Sequence, residues 1–386
     1  MKFKGYKRPD GKIGIRNKVL ILPTCSCASE TCRIIAQQIK GAVNIINQDG
    51  CAEVKGNEEI TQEVLSGFAA NPNVYGTVLI GLGCESNSAE SMKEIILSKT
   101  NKPLEVLIIQ EEGGTVNTIN KAIKITRKMV EEASMVTLEE FPISELILGI
   151  ECGGSDSTSG LATNPVVGKL SDFIIDNGGS SIMSETTEFI GAEHILARRG
   201  ENKEVQQKII QICKDLEEHL ARANQDLRTG QPTPGNKEGG LSTIEEKSLG
   251  CIYKGGTRPI VEVIDYAKLP SKKGAIVMDT PGYDIASVSA MVAGGAQIIA
   301  FTTGRGTPTG HALAPVVKIT GNKETFNKMF DNMDIDVSDV ILGKISIEEA
   351  SNNLFNEIIK ICNGKKTKAE IFGFSDIAIN RICKYI

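Results

Sequence analysis

Leu146-Ile147-Leu148-Gly149-Ile150-Glu151-Cys152 runs directly into Gly153-Gly154-Ser155-Asp156-Ser157-Thr158-Ser159-Gly160. The first part is apolar at successive positions, so a strand made from it must be covered on both faces. Parallel sheets with helices on each side provide that cover. The second part is glycine and short polar residues, which suit a loop whose backbone N–H groups can meet an anion. The same grammar recurs along the chain. Val19 to Cys25, Val43 to Asn47 (leading to Gly50-Cys51), Val78 to Cys84, Val106 to Gln110 (leading to Gly113-Gly114-Thr115), Ala275 to Thr280 and Gln297 to Thr303 are β-rich runs that stop at or near Gly, Cys or Thr. Helical patterns lie between most of them. Strand alternating with helix predicts an α/β protein, with parallel sheets flanked by helices. Ligands gather at the carboxyl ends of such strands, which is where these glycines and cysteines sit.

A chain of 386 residues is long enough for more than one unit. Two α/β domains are expected, 1–138 and 139–386, with the boundary in the stretch near Ser134 to Ser144 that contains Pro142. Residues 203–228 read as one amphipathic helix, with Ile209, Ile210, Cys213, Leu216 and Leu220 on a single stripe. Thr229-Gly230-Gln231-Pro232-Thr233-Pro234-Gly235-Asn236 breaks it.

Composition narrows the function. Hydrophobic residues are 40% and charged residues 24%, a soluble globular profile. A net charge of −5 and a pI near 5.6 argue against a general nucleic-acid surface. No apolar run approaches the ~18 residues that span a membrane, and Met1-Lys2-Phe3-Lys4-Gly5-Tyr6 has no apolar stretch of the signal-peptide kind behind it. A cytoplasmic protein is expected. In that compartment ten cysteines read as core residues, metal ligands or reactive thiols rather than a disulfide framework. With no Trp and 4% aromatics, a stacking platform for sugars is unsupported. Small polar substrates held by charge remain.

Several constellations could carry chemistry. Cys25, Cys51, Cys84 and Cys152 each follow a strand-like run. Thiolates converging at adjacent strand ends suit iron or zinc; the alternative is four small buried hydrophobes. Glu151 to Gly160 offers an anion nest and possible metal oxygens. Ser184 to His194 contains Glu185, Glu188 and Glu193 beside one of only three histidines, fitting acid–base work or hard-metal ligation, or else an ordinary helix start. Phe301 to His311 places Arg305 in a glycine–threonine loop, a setting for bidentate carboxylate capture. Arg16, Lys254 and Arg258 lie near glycines too. Asp279 and Asp284 end another strand, as metal oxygens or helix caps. Gly81-Leu82-Gly83-Cys84-Glu85-Ser86 is a poor dinucleotide fingerprint, and no P-loop is present.

Taken together, these stretches resemble the altronate and galactarate dehydratase family. The matching residues are Gly5 to Gly11, Gly14 to Asn17, Gly83-Cys84-Glu85, Glu151 to Pro165, Ser184 to Arg199, Pro234 to Gly250 and Met278 to Gly310. The resemblance implies a metal-dependent hydro-lyase that dehydrates aldonates or aldarates, with iron(II) as the metal and manganese(II) as the alternative. The family also includes sulfolactate sulfo-lyase large subunits. Members usually carry a histidine shortly before the cysteine matching Cys51, whereas this chain reads Asn47-Gln48-Asp49-Gly50-Cys51. Single-chain members begin with a small SAF-like domain that has no counterpart here. A small SAF-type partner subunit and an oligomer are therefore expected, with a small anionic sugar acid as substrate.

Dehydrating a hydroxy acid needs help to remove a weakly acidic proton and to expel a β-hydroxyl. The expected metal ligands are Cys51, Cys84, Glu85, Cys152 and Asp156. Arg16, Ser155, Arg258, Thr303, Arg305 and His311 are the expected substrate contacts. Glu193, His194 and Lys254 are the expected acid–base groups. The scheme requires the loops carrying Cys84, Cys152, Glu193 and Arg305 to share one pocket. Sulfite elimination from a sulfo-hydroxy acid would use the same site. Readings of another class are an iron–sulfur redox protein and a non-catalytic large subunit.

Overall fold

Val19, Leu20, Ile21 and Leu22 are all fully buried, as an uninterrupted apolar run demands, and they form a central strand. The computed structural model describes residues 1–383. In chain order its strands are β1 (Lys2–Lys7), β2 (Ile13–Gly14), β3 (Lys18–Pro23), β4 (Ala42–Asn44), β5 (Val74–Gly81), β6 (Leu104–Ile108), β7 (Leu138–Pro142), β8 (Ile147–Cys152), β9 (Ser180–Met183), β10 (Ile260–Ile264), β11 (Ala275–Met278), β12 (Ile298–Thr302), β13 (Val316–Thr320) and β14 (Ile335–Asp336). A four-stranded sheet has the order β4-β3-β5-β6, and a seven-stranded sheet the order β10-β11-β9-β8-β12-β13-β14. Every pairing within these two sheets is parallel. Each of the seven apolar runs read from the sequence supplies one of their strands.

A third, antiparallel sheet has the order β2-β1-β7. The stretch containing Pro142 is thus a paired strand rather than a bare linker. Sequence reading also passes over β9. Its Ser180-Ser181 start looks unlike a core strand, but Ser171 and Ser181 satisfy each other through a 2.8 Å hydroxyl contact. The long helix spans Lys203–Arg222, short of the expected end. Asn224 has φ +54, a left-handed conformation that no α-helix continues.

Both parallel sheets reverse their strand order once. In the smaller sheet β3 is followed on one side by β4 and on the other by β5. In the larger one β8 is flanked by β9 and β12. Such reversals splay the connecting loops and open a crevice at the strand carboxyl ends. The helix Lys55–Ala70 packs its Val64, Leu65 and Phe68 against Val288, Met291 and Val292 of the helix Asp284–Ala293, so one apolar core runs through both sheets. The approach is close: a Cβ on Gly67 would lie 2.5 Å from the Ala293 carbonyl oxygen. The chain after Gly373 then returns across this seam. Asp376 N–H donates to Gly310 O, Ala378 N–H to Ser289 Oγ, and Ile382 N–H to Asn57 Oδ1. No described helix is long and apolar enough to cross a membrane.

Candidate active site

β8 ends in Glu151 and Cys152, both buried, because the strand lies in the middle of the larger sheet. The Cys152 N–H donates to Glu185 Oε2 at 2.9 Å, and its Sγ lies 3.0 Å from Ser155 Oγ. Glu185 follows β9 and sits at φ +72, a left-handed conformation that costs a non-glycine residue about 1–3 kcal/mol. That bend turns its carboxylate inward. A single 3-10 turn, Thr186–Glu188, then brings Glu188 to the same side. Lys254, at 0% exposure in the turn Ile252–Gly255, donates to Glu188 Oε2 at 2.7 Å and to Glu185 Oε2. Lys247 lies 3.4 Å from Glu188 Oε1. Cys251 ends the helix Ile244–Cys251 beside them.

Two donor groups result. Cys152, Glu188 and Cys251 place one ligand atom each within 4.8 Å of one another, and Glu151, Glu185 and Asp284 do the same. Four carboxylates meet only two lysines, so the site carries excess buried negative charge. The chain handles this in three ways. Burial pushes the Glu151 carboxyl up to about 8 even though Lys254 pulls it down. Burial, with Glu151 and Glu188 adjacent, raises Glu185 well above the usual carboxylate range. Burial would raise Glu188 as well, but Lys254 and Lys247 outweigh it and keep that carboxyl below its ordinary value. The hydrogen bond with Cys251 brings the Cys152 thiol down to about 7 against the effect of burial. A thiol poised to ionise beside a carboxylate kept ionised is a donor set that suits a divalent metal.

Cys251 and Lys247 also line a cleft of about 280 Å³, together with Ser155, Asp156, Leu249 and Tyr253. The cluster thus reaches solvent at the strand carboxyl ends. Across the crevice, Gly154 O accepts N–H bonds from Gly304 and Arg305, which ties the β8 and β12 loops together. Arg305 is 44% exposed in its side chain and, among the described residues, pairs only with the exposed Glu238, a weak contact that a ligand could replace.

The other expected residues are dispersed. Cys84 and Cys51 are exposed near the ends of strands in the smaller sheet, and Cys25 is buried in that sheet's core. None of the three belongs to either donor group among the described residues. The four strand-end cysteines therefore do not form one cluster. Glu85 is a loop staple, accepting from Thr24 Oγ1, Leu82 N and Gly83 N. Asp156 plays the same part, taken up by Thr158, Ser159 and Asn322. Arg16 has all five donors engaged, by Glu370 and three backbone carbonyls, and so holds the chain rather than a substrate. Arg258 forms a bidentate pair with Asp176 on the surface. Thr303 Oγ1 accepts from Gly306 N. His311 is buried against Phe68, its Nδ1 accepting from Leu313 N, and burial lowers it to about 3, so it stays neutral. Glu193 Oε2 accepts from Gly191 N, and His194 faces the surface groove along the helix Lys203–Arg222. Of the four loops expected to meet, the Cys152 and Arg305 loops do; neither Cys84 nor Glu193 lies in the cluster or lines the cleft. Asn47 braces its loop, its amide donating to Thr24 O and Asp49 O.

Comparison with known proteins places the chain in a family. Residues 143–384 match the family described as D-galactarate/Altronate dehydratase, C-terminal, and residues 5–134 match D-galactarate dehydratase/Altronate hydrolase, second domain. The chain belongs to the D-galactarate/altronate dehydratase family. Altronate dehydratase of Bacillus subtilis is 33% identical over 98% of this chain and 77% of its own length. The (2R)-sulfolactate sulfo-lyase subunit beta of Chromohalobacter salexigens is 34% identical over 98% of this chain and 97% of its own length. Galactarate dehydratase (L-threo-forming) of Escherichia coli is 32% identical over 94% of this chain and 73% of its own length. The protein is therefore an enzyme, a lyase of the altronate dehydratase family, and one relative of near-equal span is named as a subunit.

Proposed function

We propose that the enzyme removes water from a small sugar acid such as altronate or galactarate, giving a 2-keto-3-deoxy acid. The observation that carries this is the buried set Cys152, Glu188, Cys251 and Lys254 opening, through Cys251 and Lys247, into a cleft at the strand carboxyl ends. The α-proton leaves to a base, and the β-hydroxyl departs with its bonding pair. The resulting enol then ketonises. Cys152, Glu188 and Cys251 would hold the divalent metal, iron(II) or manganese(II), and the metal when bound supplies Lewis acidity toward substrate oxygen.

The chain's own residues do the rest. Lys247, kept positive by Glu188 despite burial, lies at the cleft wall where a substrate carboxylate would settle. Arg305 can leave Glu238 to take the same carboxylate or a distal one. Lys254 touches no open space; it fixes Glu185 and Glu188 and is a positioning residue. The acid–base assignment expected for Glu193 and His194 passes to this cluster. A small partner subunit would complete the enzyme, as the name of the sulfo-lyase relative suggests.

A second reading has its own support. The chain spans 97% of the sulfo-lyase subunit but 77% of the Bacillus altronate dehydratase, and sulfite is as competent a β-leaving group as hydroxide. The purified protein, alone and with a candidate small subunit, should be given aldonates, aldarates and (2R)-sulfolactate while 2-oxo acid and sulfite are followed separately. Oxo acid without sulfite from a sugar acid supports dehydration. Sulfite from sulfolactate replaces it with the second reading, and neither product from any substrate refutes both.

A further inference from the structure

Glu151, Glu185 and Asp284 remain after the thiol group has been given its role. Glu151 is at 0% exposure. Its Oε2 accepts from Ser287 Oγ at 2.6 Å and Ser184 Oγ at 3.2 Å. Its Oε1 is buried without a hydrogen-bond partner. One oxygen of Glu151 and one of Glu185 lie within 4.8 Å of each other, two acceptors facing across a short gap. The Asp284 carboxylate has no ion-pair partner among the described residues. It fits only because residue 153 is glycine: a Cβ there would lie 2.0 Å from Asp284 Oδ2.

Such an arrangement requires something positive at its centre. Oxygens on opposite sides of a hard divalent cation at ~2.1–2.4 Å stand ~4.2–4.8 Å apart, and one oxygen from each of these residues lies within 4.8 Å of the others. A second, independent observation is Glu151 Oε1 itself, an acceptor fully buried with no donor to meet it among the described residues.

We propose that Glu151, Glu185 and Asp284 bind a second, oxygen-ligated divalent cation of the magnesium or manganese(II) class, behind the thiol-containing site and separate from it. Its ligands are all carboxylate oxygens, which suit hard cations, whereas the thiols select softer ones. Lys254 stands between the two sites, bonding Glu185 on one side and Glu188 on the other. The proposal does not depend on which hydroxy acid the enzyme cleaves, or on whether water or sulfite leaves.

The rival occupant is a proton shared by Glu151 and Glu185, and metal binding separates the two. The full-length protein is stripped with chelator under reducing conditions, then titrated with Mn²⁺ alone and, separately, with Co²⁺. Bound Mn²⁺ is counted by electron paramagnetic resonance, and Co²⁺ at the thiols is read from its thiolate charge-transfer absorption. Glu151→Gln and Asp284→Asn should each lose one Mn²⁺ per chain and keep the Co²⁺–thiolate band, which also shows that the variants fold. Cys251→Ser should weaken the cobalt band and keep that Mn²⁺. Mn²⁺ should raise the melting temperature of the wild type by more than that of Glu151→Gln, which keeps only the thiol-containing site. The proposal is overturned if the wild type takes up no Mn²⁺ that Glu151→Gln removes, or if Cys251→Ser abolishes all Mn²⁺ binding. Either result leaves the proton as the occupant.

Discussion

Replacing Lys254 by methionine is the sharpest test of how the cluster is held. Lys254 is at 0% exposure and contacts Glu185 and Glu188. At the 2.7 Å separation from Glu188, Coulomb's law with an effective dielectric of ~20 gives an attraction of ~6 kcal/mol. Taking the ions out of water offsets several kcal/mol for each, so the pair's net contribution is far smaller. Its loss is not small, because Lys254→Met leaves the buried Glu188 carboxylate with the 3.4 Å contact to Lys247 as its remaining ion pair among the described residues. Breaking a buried pair from one side costs about 3–5 kcal/mol. Denaturant melts of chelator-treated protein at neutral pH should therefore show Lys254→Met destabilised by that amount. Adding Glu188→Gln in the same chain should recover part of it, since the orphaned charge goes too. A Lys254→Met protein within ~1 kcal/mol of wild type would refute the reasoning, because the charges would then be solvated or neutral already.

Glu151 predicts a pH dependence. Its folded pKa of about 8 lies above the ordinary value of 4.5, so the native state holds a proton that the unfolded chain has released. The associated stability is complete below pH ~4.5 and fades as pH rises toward ~8, with a ceiling of roughly 5 kcal/mol. Metal-free wild type should soften over that window in thermal melts, and Glu151→Gln should not. Arg305→Ala should lower kcat/KM by ~10–100-fold, the range of one charge-assisted hydrogen bond; unchanged kinetics would remove Arg305 from substrate binding. Gly153→Ala would push a Cβ to within 2.0 Å of Asp284 Oδ2, so steady-state assays should show activity falling more than a melting curve does. Gly67→Ala, which meets the Ala293 carbonyl at 2.5 Å, should cost ~1–3 kcal/mol of stability with kcat preserved in the folded fraction.

The sheets were legible because each buried strand is an apolar run closed by Gly, Cys or Thr, a pattern that survives without knowledge of neighbours. β9 was not, since two serines open it and only the Ser171–Ser181 contact explains them. The site was half legible. Glu151, Cys152 and Ser155 stand in the stretch that first suggested a site, and Lys254 stood out by its glycines. Cys251 was overlooked, though Gly250-Cys251 and Gly255-Gly256 repeat the setting of Cys152-Gly153-Gly154. Within Ser184 to His194 the sequence reading favoured Glu193 and His194 over Glu185 and Glu188. The left-handed Glu185 and one 3-10 turn aim Glu185 and Glu188 inward, and Gly191, at φ +88, turns the chain so that Glu193 and His194 face away. Nothing in linear spacing reports such a bend.

The shared core has a consequence for how the molecule is made. Val64, Leu65 and Phe68 have their partners at Val288, Met291 and Val292, which a ribosome delivers roughly 10–40 s later at ~5–20 residues per second. Until then the early helix presents a greasy flank to solvent or to a chaperone. Premature termination anywhere in that interval would leave a fragment with a well-formed small sheet and an uncovered side, and such fragments should be found in aggregates rather than in solution.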